Sequence, residues 1–182
     1  GSFTGPRIFW SGSSLRPEAT GYGLVFFAQL MLADMNKELK GLRCAVSGSG
    51  KIAMHVLEKL IAYGALPISV SETIQRPMLG PNIMMKQNHG VKGCRILVEG
   101  SNMPCTPEAV QILRKASVLI APAMAAGAGG VVAGELELNH ECSLMHWSPE
   151  DFESKLQEAM KQTYQRAMKA ATDFGYQKES PE

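Results

Sequence analysis

This sequence lacks most of the features that mark specialised partners. Its net charge is +1 and its Lys and Arg residues are scattered, with no run of five or more. Nothing therefore draws it toward nucleic acid. The most apolar stretch, Leu24 to Ala33, is far shorter than the about 20 apolar residues a bilayer span needs. No secretory apolar region stands at the start. No membrane or nucleic-acid partner is expected. The four cysteines (Cys44, Cys94, Cys105, Cys142) form no C-x-x-C pair, and Cys44 and Cys94 fall in apolar, strand-like runs. They read as free thiols of a reducing compartment, the cytoplasm or alternatively the mitochondrial matrix. The four histidines (His55, His89, His140, His146) are dispersed as well, so no metal centre is expected. Gly1-Ser2 reads as an expression scar, which puts the natural start elsewhere.

What is present is ordinary for a globular protein. Of 182 residues, 45% are apolar and 19% charged, enough for one domain, 1–182, with a sizeable core. The 11 methionines read as core filler. Residues 1–23, rich in Gly, Ser and Pro, read as loop. Leu24 to Leu39 reads as a helix dense enough in apolar residues to be covered on more than one side, with Gly41 as its terminator. Arg43–Ser47 reads as a buried strand, Lys51–Tyr63 as a helix closed by Gly64, and Leu66–Val70 as a second strand. That succession is a βαβ unit, whose strands run parallel across a right-handed crossover. The pattern then dissolves over 71–92 into prolines, glycines and methionines, with a weak helical stretch from Pro81 to Asn88. A strand returns at Arg95–Val98. Thr106-Pro107-Glu108 opens a helix with Thr as cap and Pro at its first position. Val118–Ile120 is a strand stopped by Pro122, and Ala123–Gly130 reads as a small-residue loop. Ser148-Pro149-Glu150-Asp151 caps a last amphipathic helix running to about Phe174. The expected fold class is α/β: a Rossmann-type doubly wound parallel sheet with flanking helices, shortened relative to a full one.

Gly48-Ser49-Gly50-Lys51-Ile52-Ala53 fits G-x-G-x-x-G/A between a strand and a helix, the context that gives the pattern weight. Gly48 allows the tight turn, Gly50 lets backbone approach a pyrophosphate, and Ala53 permits close helix–strand packing. The free N–H groups and partial positive charge of the helix start suit phosphate. The same glycines also serve a βαβ turn that holds no nucleotide. Glu72 stands 24 positions after Gly48, where a carboxylate would accept from a ribose 2′-hydroxyl and favour NAD. Its neighbours Ser71 and Thr73 would instead suit a 2′-phosphate. A solvent-exposed strand end explains Glu72 equally simply.

Three further stretches carry a family resemblance. Arg16-Pro17-Glu18-Ala19-Thr20-Gly21-Tyr22-Gly23, continued by Leu32-Ala33-Asp34-Met35-Asn36 and Leu39-Lys40-Gly41, resembles the entry into the coenzyme domain of glutamate dehydrogenases. Glu99 through Ala109 resembles that family's E-G-A-N-M-P-T-T-P-E-A, and Ala121-Pro122 through Val131 its A-P-G-K-A-A-N-A-G-G-V. The likeness is greatest to the short-chain hexameric branch, much of which uses NADP. It implies a coenzyme-binding domain for NADP, with NAD as the alternative, in a hexamer that interconverts glutamate with 2-oxoglutarate and ammonia. The position of Thr20 contacts the nicotinamide end in that family, and that of Asn102 lies near the nicotinamide ribose. Lys51 replaces a usual Asn beside the pyrophosphate and still suits phosphate. Arg16 and Gly134 fall at substrate-side positions.

The departures are as informative. The family's catalytic lysines and Asp lie in an N-terminal substrate domain, and no residue here matches them. Gly134 stands near the Ser that contacts the substrate carboxylate, Gly127 replaces an Asn, and Met124 replaces a Lys. Each exchange removes a donor worth roughly 1.5–3 kcal/mol against a charged group. Beyond Glu72 a strand–helix–strand portion of about 30 residues or more is missing, and Thr73-Ile74-Gln75-Arg76 stands where a later family motif, P-C-A-T-Q-N, ends. Either the sequence joins separate parts of a longer chain, or the sheet is truly smaller. The family's last helix is missing after Gln177. A non-catalytic relative that keeps the fold as a binding or assembly module is the competing reading. A leucine-, valine- or phenylalanine-type dehydrogenase fits the Asn-Met-Pro and Arg-Pro-Glu-Ala-Thr-Gly-Tyr-Gly stretches less well.

Overall fold

The computed structural model describes residues 18–48, 50–71, 94–101, 104–141 and 147–175. The expected helix at Pro81–Asn88, and Cys142, His89 and His146, lie outside them. In chain order the elements are α1 (Ala19–Ala33), β1 (Arg43–Ser47), α2 (Lys51–Ala62), β2 (Leu66–Ser71), β3 (Ile96–Leu97), α3 (Pro107–Lys115), β4 (Leu119–Ile120), α4 (Ala123–Ala126), α5 (Gly129–Glu141) and α6 (Pro149–Asp173).

Helix α1 is the spine of the molecule. One side carries Phe26, Phe27 and Met31 into a core shared with Ala126, Ala133, Phe152, Leu156 and Met160. The other carries Val25 and Leu32 into a second cluster with Leu39, Val46, Ala53, Leu60 and Ala65. Burial on two sides is what its density of apolar residues led us to expect. Its limits differ from expectation at both ends. It starts at Ala19, so Gly21 and Gly23 are helical rather than loop. A Cβ on Gly21 would stand 2.7 Å from the His55 Cβ and 2.9 Å from the Ile52 carbonyl oxygen, and one on Gly23 would stand 2.9 Å from the Gly129 Cα. These glycines cost the helix about 1 kcal/mol each and are offset by the close backbone crossings with α2 and α5 that they allow. The helix ends at Ala33, not Leu39, because Asn36 adopts φ 54° and the Lys37 N–H reaches back to the Leu32 carbonyl at 2.9 Å. That is a left-handed closure of the kind glycine or asparagine supplies.

The stretch 123–130 departs from expectation in the same way. This stretch is not a loop: it contains α4 and the first turn of α5. Gly129 lies so close to the Ala19 carbonyl and the Gly23 Cα that a side chain there has no room. Small residues mark a helix crossing here, not a break.

The capping expectations hold. The Thr106 Oγ1 accepts from the Ala109 N–H at 3.3 Å with Pro107 behind it. At the start of α6 the Ser148 Oγ accepts from the Asp151 N–H, and the Asp151 carboxylate accepts from the Ser148 N–H, both at 3.1 Å. This reciprocal box satisfies two groups that the helix itself leaves unpaired.

Two polar ties hold the helices in register. Lys59 of α2 pairs with Glu153 of α6 and lies 4.5 Å from the ring centroid of Tyr22 on α1. The Tyr164 hydroxyl donates to Asp34 at 2.6 Å. Burial and then this hydrogen bond push the Tyr164 phenol well above its ordinary range.

Both strand pairs are parallel. β1 runs beside β2 from Arg43↔Leu66 to Ser47↔Ser71, with an irregularity between Cys44 and Ala45. β3 runs beside β4 through Ile96↔Leu119 and Leu97↔Ile120. Among the described residues these are two separate two-stranded sheets. The mixed α/β character and parallel pairing match the sequence reading. Cys44, Cys94 and Cys105 are free thiols. Met31 and Met160 fill the core as expected, whereas Met54 and Met124 are exposed. Among the described residues no helix is long and apolar enough to cross a membrane, and no group of side chains is arranged to hold a metal ion.

Candidate functional site: the glycine turn and its cleft

The turn after β1 is built by backbone. Gly48 adopts φ +123°, a conformation that a Cβ strains. A Cβ there would also stand 3.4 Å from that of Ala53, so Gly48 and the buried Ala53 together bring α2 tightly against β1. Gly50 is the N-cap of α2, with no side-chain hydrogen bond capping the helix and no acid in its first turn. The first-turn N–H groups of Lys51, Ile52 and Ala53 lack intrahelical acceptors. The space where a Gly50 side chain would stand is open. Lys51 and Ile52 are exposed beside it. An anion placed here meets backbone donors and the positive end of the helix, whose first residue, Lys51, is an exposed cation.

A cleft of about 340 Å³ adjoins the turn, lined by Thr20, Ile52, Gly100, Ser101, Ala123 and Gly127. Its walls come from α1, from the start of α2 and from the chain just beyond the carboxyl ends of β3 and β4. Ligands of open parallel sheets bind outside such carboxyl ends.

Three residues expected from sequence, Thr20, Ile52 and Gly127, meet in this cleft. Gly48, Gly50, Lys51 and Ala53 form its neighbouring turn, and Ser71 ends β2 opposite Ser47. Gly134 lies on α5 and does not line the cleft. Arg16, Ser49, Glu72, Thr73 and Asn102 lie outside the described residues. Gly100, Ser101 and Ala123 line the cleft without having been singled out as site residues. The available signal was their place directly after β3 and β4. Gly100 is held close, since a Cβ on it would stand 2.9 Å from the Leu24 Cδ1.

Comparison with known proteins places this arrangement. The family model described as glutamate/leucine/phenylalanine/valine dehydrogenase matches residues 11–74 and 80–180. An NADP-specific glutamate dehydrogenase of Chlorella sorokiniana is 30% identical over 233 aligned residues, covering 96% of this chain and 44% of that protein. A glutamate dehydrogenase of Bacteroides thetaiotaomicron is 31% identical, covering 95% of this chain and 51% of its own. A structure of glutamate dehydrogenase 2 from Plasmodium falciparum superposes with a TM-score of 0.84 at 28% identity, over 94% of this chain and 50% of that one. The chain thus spans about half the length of the relatives it matches. The 233 aligned residues exceed the 182 of the chain, and the family match is interrupted at 75–79. The alignment therefore takes in residues of the relative that have no counterpart in this chain. The chain is a glutamate-dehydrogenase-type region and belongs to the glutamate/leucine/phenylalanine/valine dehydrogenase family.

Proposed function

We propose that this chain is the coenzyme-binding part of a glutamate dehydrogenase, with NADP as its dinucleotide and NAD as the alternative. The observation that carries the reading is the uncapped start of α2 after Gly48 and Gly50, opening beside a cleft at the strand ends. The residues present fit the group. Backbone donors of Lys51, Ile52 and Ala53 and the Lys51 ammonium take the pyrophosphate. Thr20 stands for the nicotinamide end, as the family resemblance implies, and Gly127 lines the same cleft. The NADP-specific naming of relatives supports the coenzyme choice. The two strand pairs are read as parts of one doubly wound sheet.

The bound coenzyme would supply hydride transfer to or from the amino-acid Cα, converting L-glutamate and water to 2-oxoglutarate and ammonia or the reverse. This chain's share is to bind and orient. No position in it matches the family's catalytic lysines and Asp, so the chain by itself binds dinucleotide and does not turn over. Substrate chemistry, the hexamer and a cytoplasmic or mitochondrial-matrix location belong to the whole enzyme. Calorimetry with NADP and NAD tests the reading. Saturable binding of one of them is expected, and absence of binding by both would overturn it. The second reading, a non-catalytic binding or assembly module, is favoured by Met124. It replaces a family Lys beside Ala123 of the cleft and is 77% exposed. Glutamate oxidation by the whole protein would eliminate it.

A further inference from the structure

Glu99 is a buried carboxylate, 8% exposed, two residues beyond the end of β3. Its Oε1 accepts from the backbone N–H of Cys105 at 3.1 Å. Cys105 immediately precedes Thr106, the cap of α3. This one side chain therefore ties the chain just beyond β3 to the residue that precedes the cap of α3. The connection begins with Gly100 and Ser101, which line the cleft. Burial pushes the Cys105 thiol up to about 12, and a hydrogen bond to the Glu99 carboxylate and its charge add to that shift. Where the resembling family motif has Thr, a hydroxyl donor, this chain has a thiol that can also donate to the same carboxylate.

We propose that Glu99 is a positioning residue, a clamp that fixes the Gly100–Ser101 wall of the cleft against the nicotinamide half of the dinucleotide by holding Cys105. The proposal rests on the dinucleotide-binding reading given above. A buried carboxylate left without donors is costly, which favours keeping the Cys105 N–H on Glu99. The clamp acts on the cleft and not on the Gly48–Gly50 turn, which lies on another element. Losing it should weaken a ligand that enters the cleft and spare one that stops at the turn.

The test combines two readouts on the purified protein. The first is iodoacetamide labelling of Cys105, read by peptide mass spectrometry against the exposed Cys94. The second is calorimetry with NADP and with adenosine 2′,5′-bisphosphate, which lacks the nicotinamide half. Glu99→Ala should speed Cys105 labelling relative to Cys94 by about tenfold or more and weaken NADP about tenfold, the scale of a buried charge-assisted hydrogen bond. Its affinity for adenosine 2′,5′-bisphosphate should be unchanged. Glu99→Gln, which keeps an acceptor for the Cys105 N–H, should recover most of the NADP affinity. If Glu99→Ala does not fold, Glu99→Met keeps the volume without the acceptor and carries the same expectations. Unchanged Cys105 labelling would overturn the clamp, and so would parallel loss of both ligands, which marks a merely structural residue. The labelling arm needs no ligand. If the unaltered protein binds no dinucleotide, the functional reading fails, and labelling still decides whether the clamp exists.

Discussion

The helical side of the molecule and the β1–β2 side solve burial differently. Between α1 and α6 the core is closed: Phe26, Phe27, Leu156 and Met160 are at most 1% exposed, and the backbones of α1 and α5 meet at Gly23 and Gly129. On β2, by contrast, Leu66, Ile68 and Val70 alternate along the strand and are all about half exposed. Successive even positions share one face of a strand, so this is one open apolar row. It lies in the sequence just before the interruption of the family match at 75–79. The core between α1 and α6 is closed, and β2 leaves an apolar face open. Packing in this chain is therefore uneven, and mutations should report that unevenness.

The largest expected effect is on the closed side. Leu156→Ala should cost about 2–5 kcal/mol, the usual loss for a fully buried leucine, read as a fall in denaturation midpoint. Alkaline pH should act next, through Tyr22 of α1 and Cys105 beside the cap of α3. Burial and nearby carboxylates push Tyr22 up to about 12, and Cys105 is likewise pushed up to about 12. Because the folded protein holds both groups protonated above their unfolded values, their contribution is complete below about pH 9. It is lost as pH rises from there to about 12. Denaturant titrations at pH 8 and pH 11 should show that decline.

At the boundary between the regions, Gly48→Val puts a branched side chain where φ is +123°. Strain of about 1–3 kcal/mol at the turn should weaken dinucleotide affinity by about tenfold or more, measured by calorimetry. Ser148→Ala should remove the α6 cap at a cost of about 1 kcal/mol. The smallest effect belongs to the open face: Ile68→Ser should change stability by at most about 0.5 kcal/mol, as at other surface positions. A loss at Ile68 comparable to that at Leu156 would break the contrast.

Much of this was legible in the sequence because it is local. The strand–turn–helix around Gly48, the caps at Thr106 and Ser148 and the extent of α6 follow from residues within one turn of each other. The errors share a cause. Gly21, Gly23 and Gly129 read as loop signals, since glycine normally weakens a helix. Their purpose appears once α1 and α5 cross, a fact about distant parts of the chain. Asn36 ended α1 before Gly41 could, because an asparagine tolerates the left-handed conformation that glycine is usually credited with. Thr20, Ile52 and Gly127 were read from motif positions. Gly100, Ser101 and Ala123 were not singled out, because a cleft wall belongs to the packing of several elements and leaves no pattern in any one of them.

The central claim is that the Gly48–Gly50 turn and the adjoining cleft hold one ligand together. Amide hydrogen exchange with and without NADP tests it most directly. The account predicts slowed exchange at the first-turn amides of α2, Lys51 to Ala53, and at Gly100 and Ser101 in the same titration. Slowing at neither place, or at the turn with no change at Gly100 and Ser101, would contradict it.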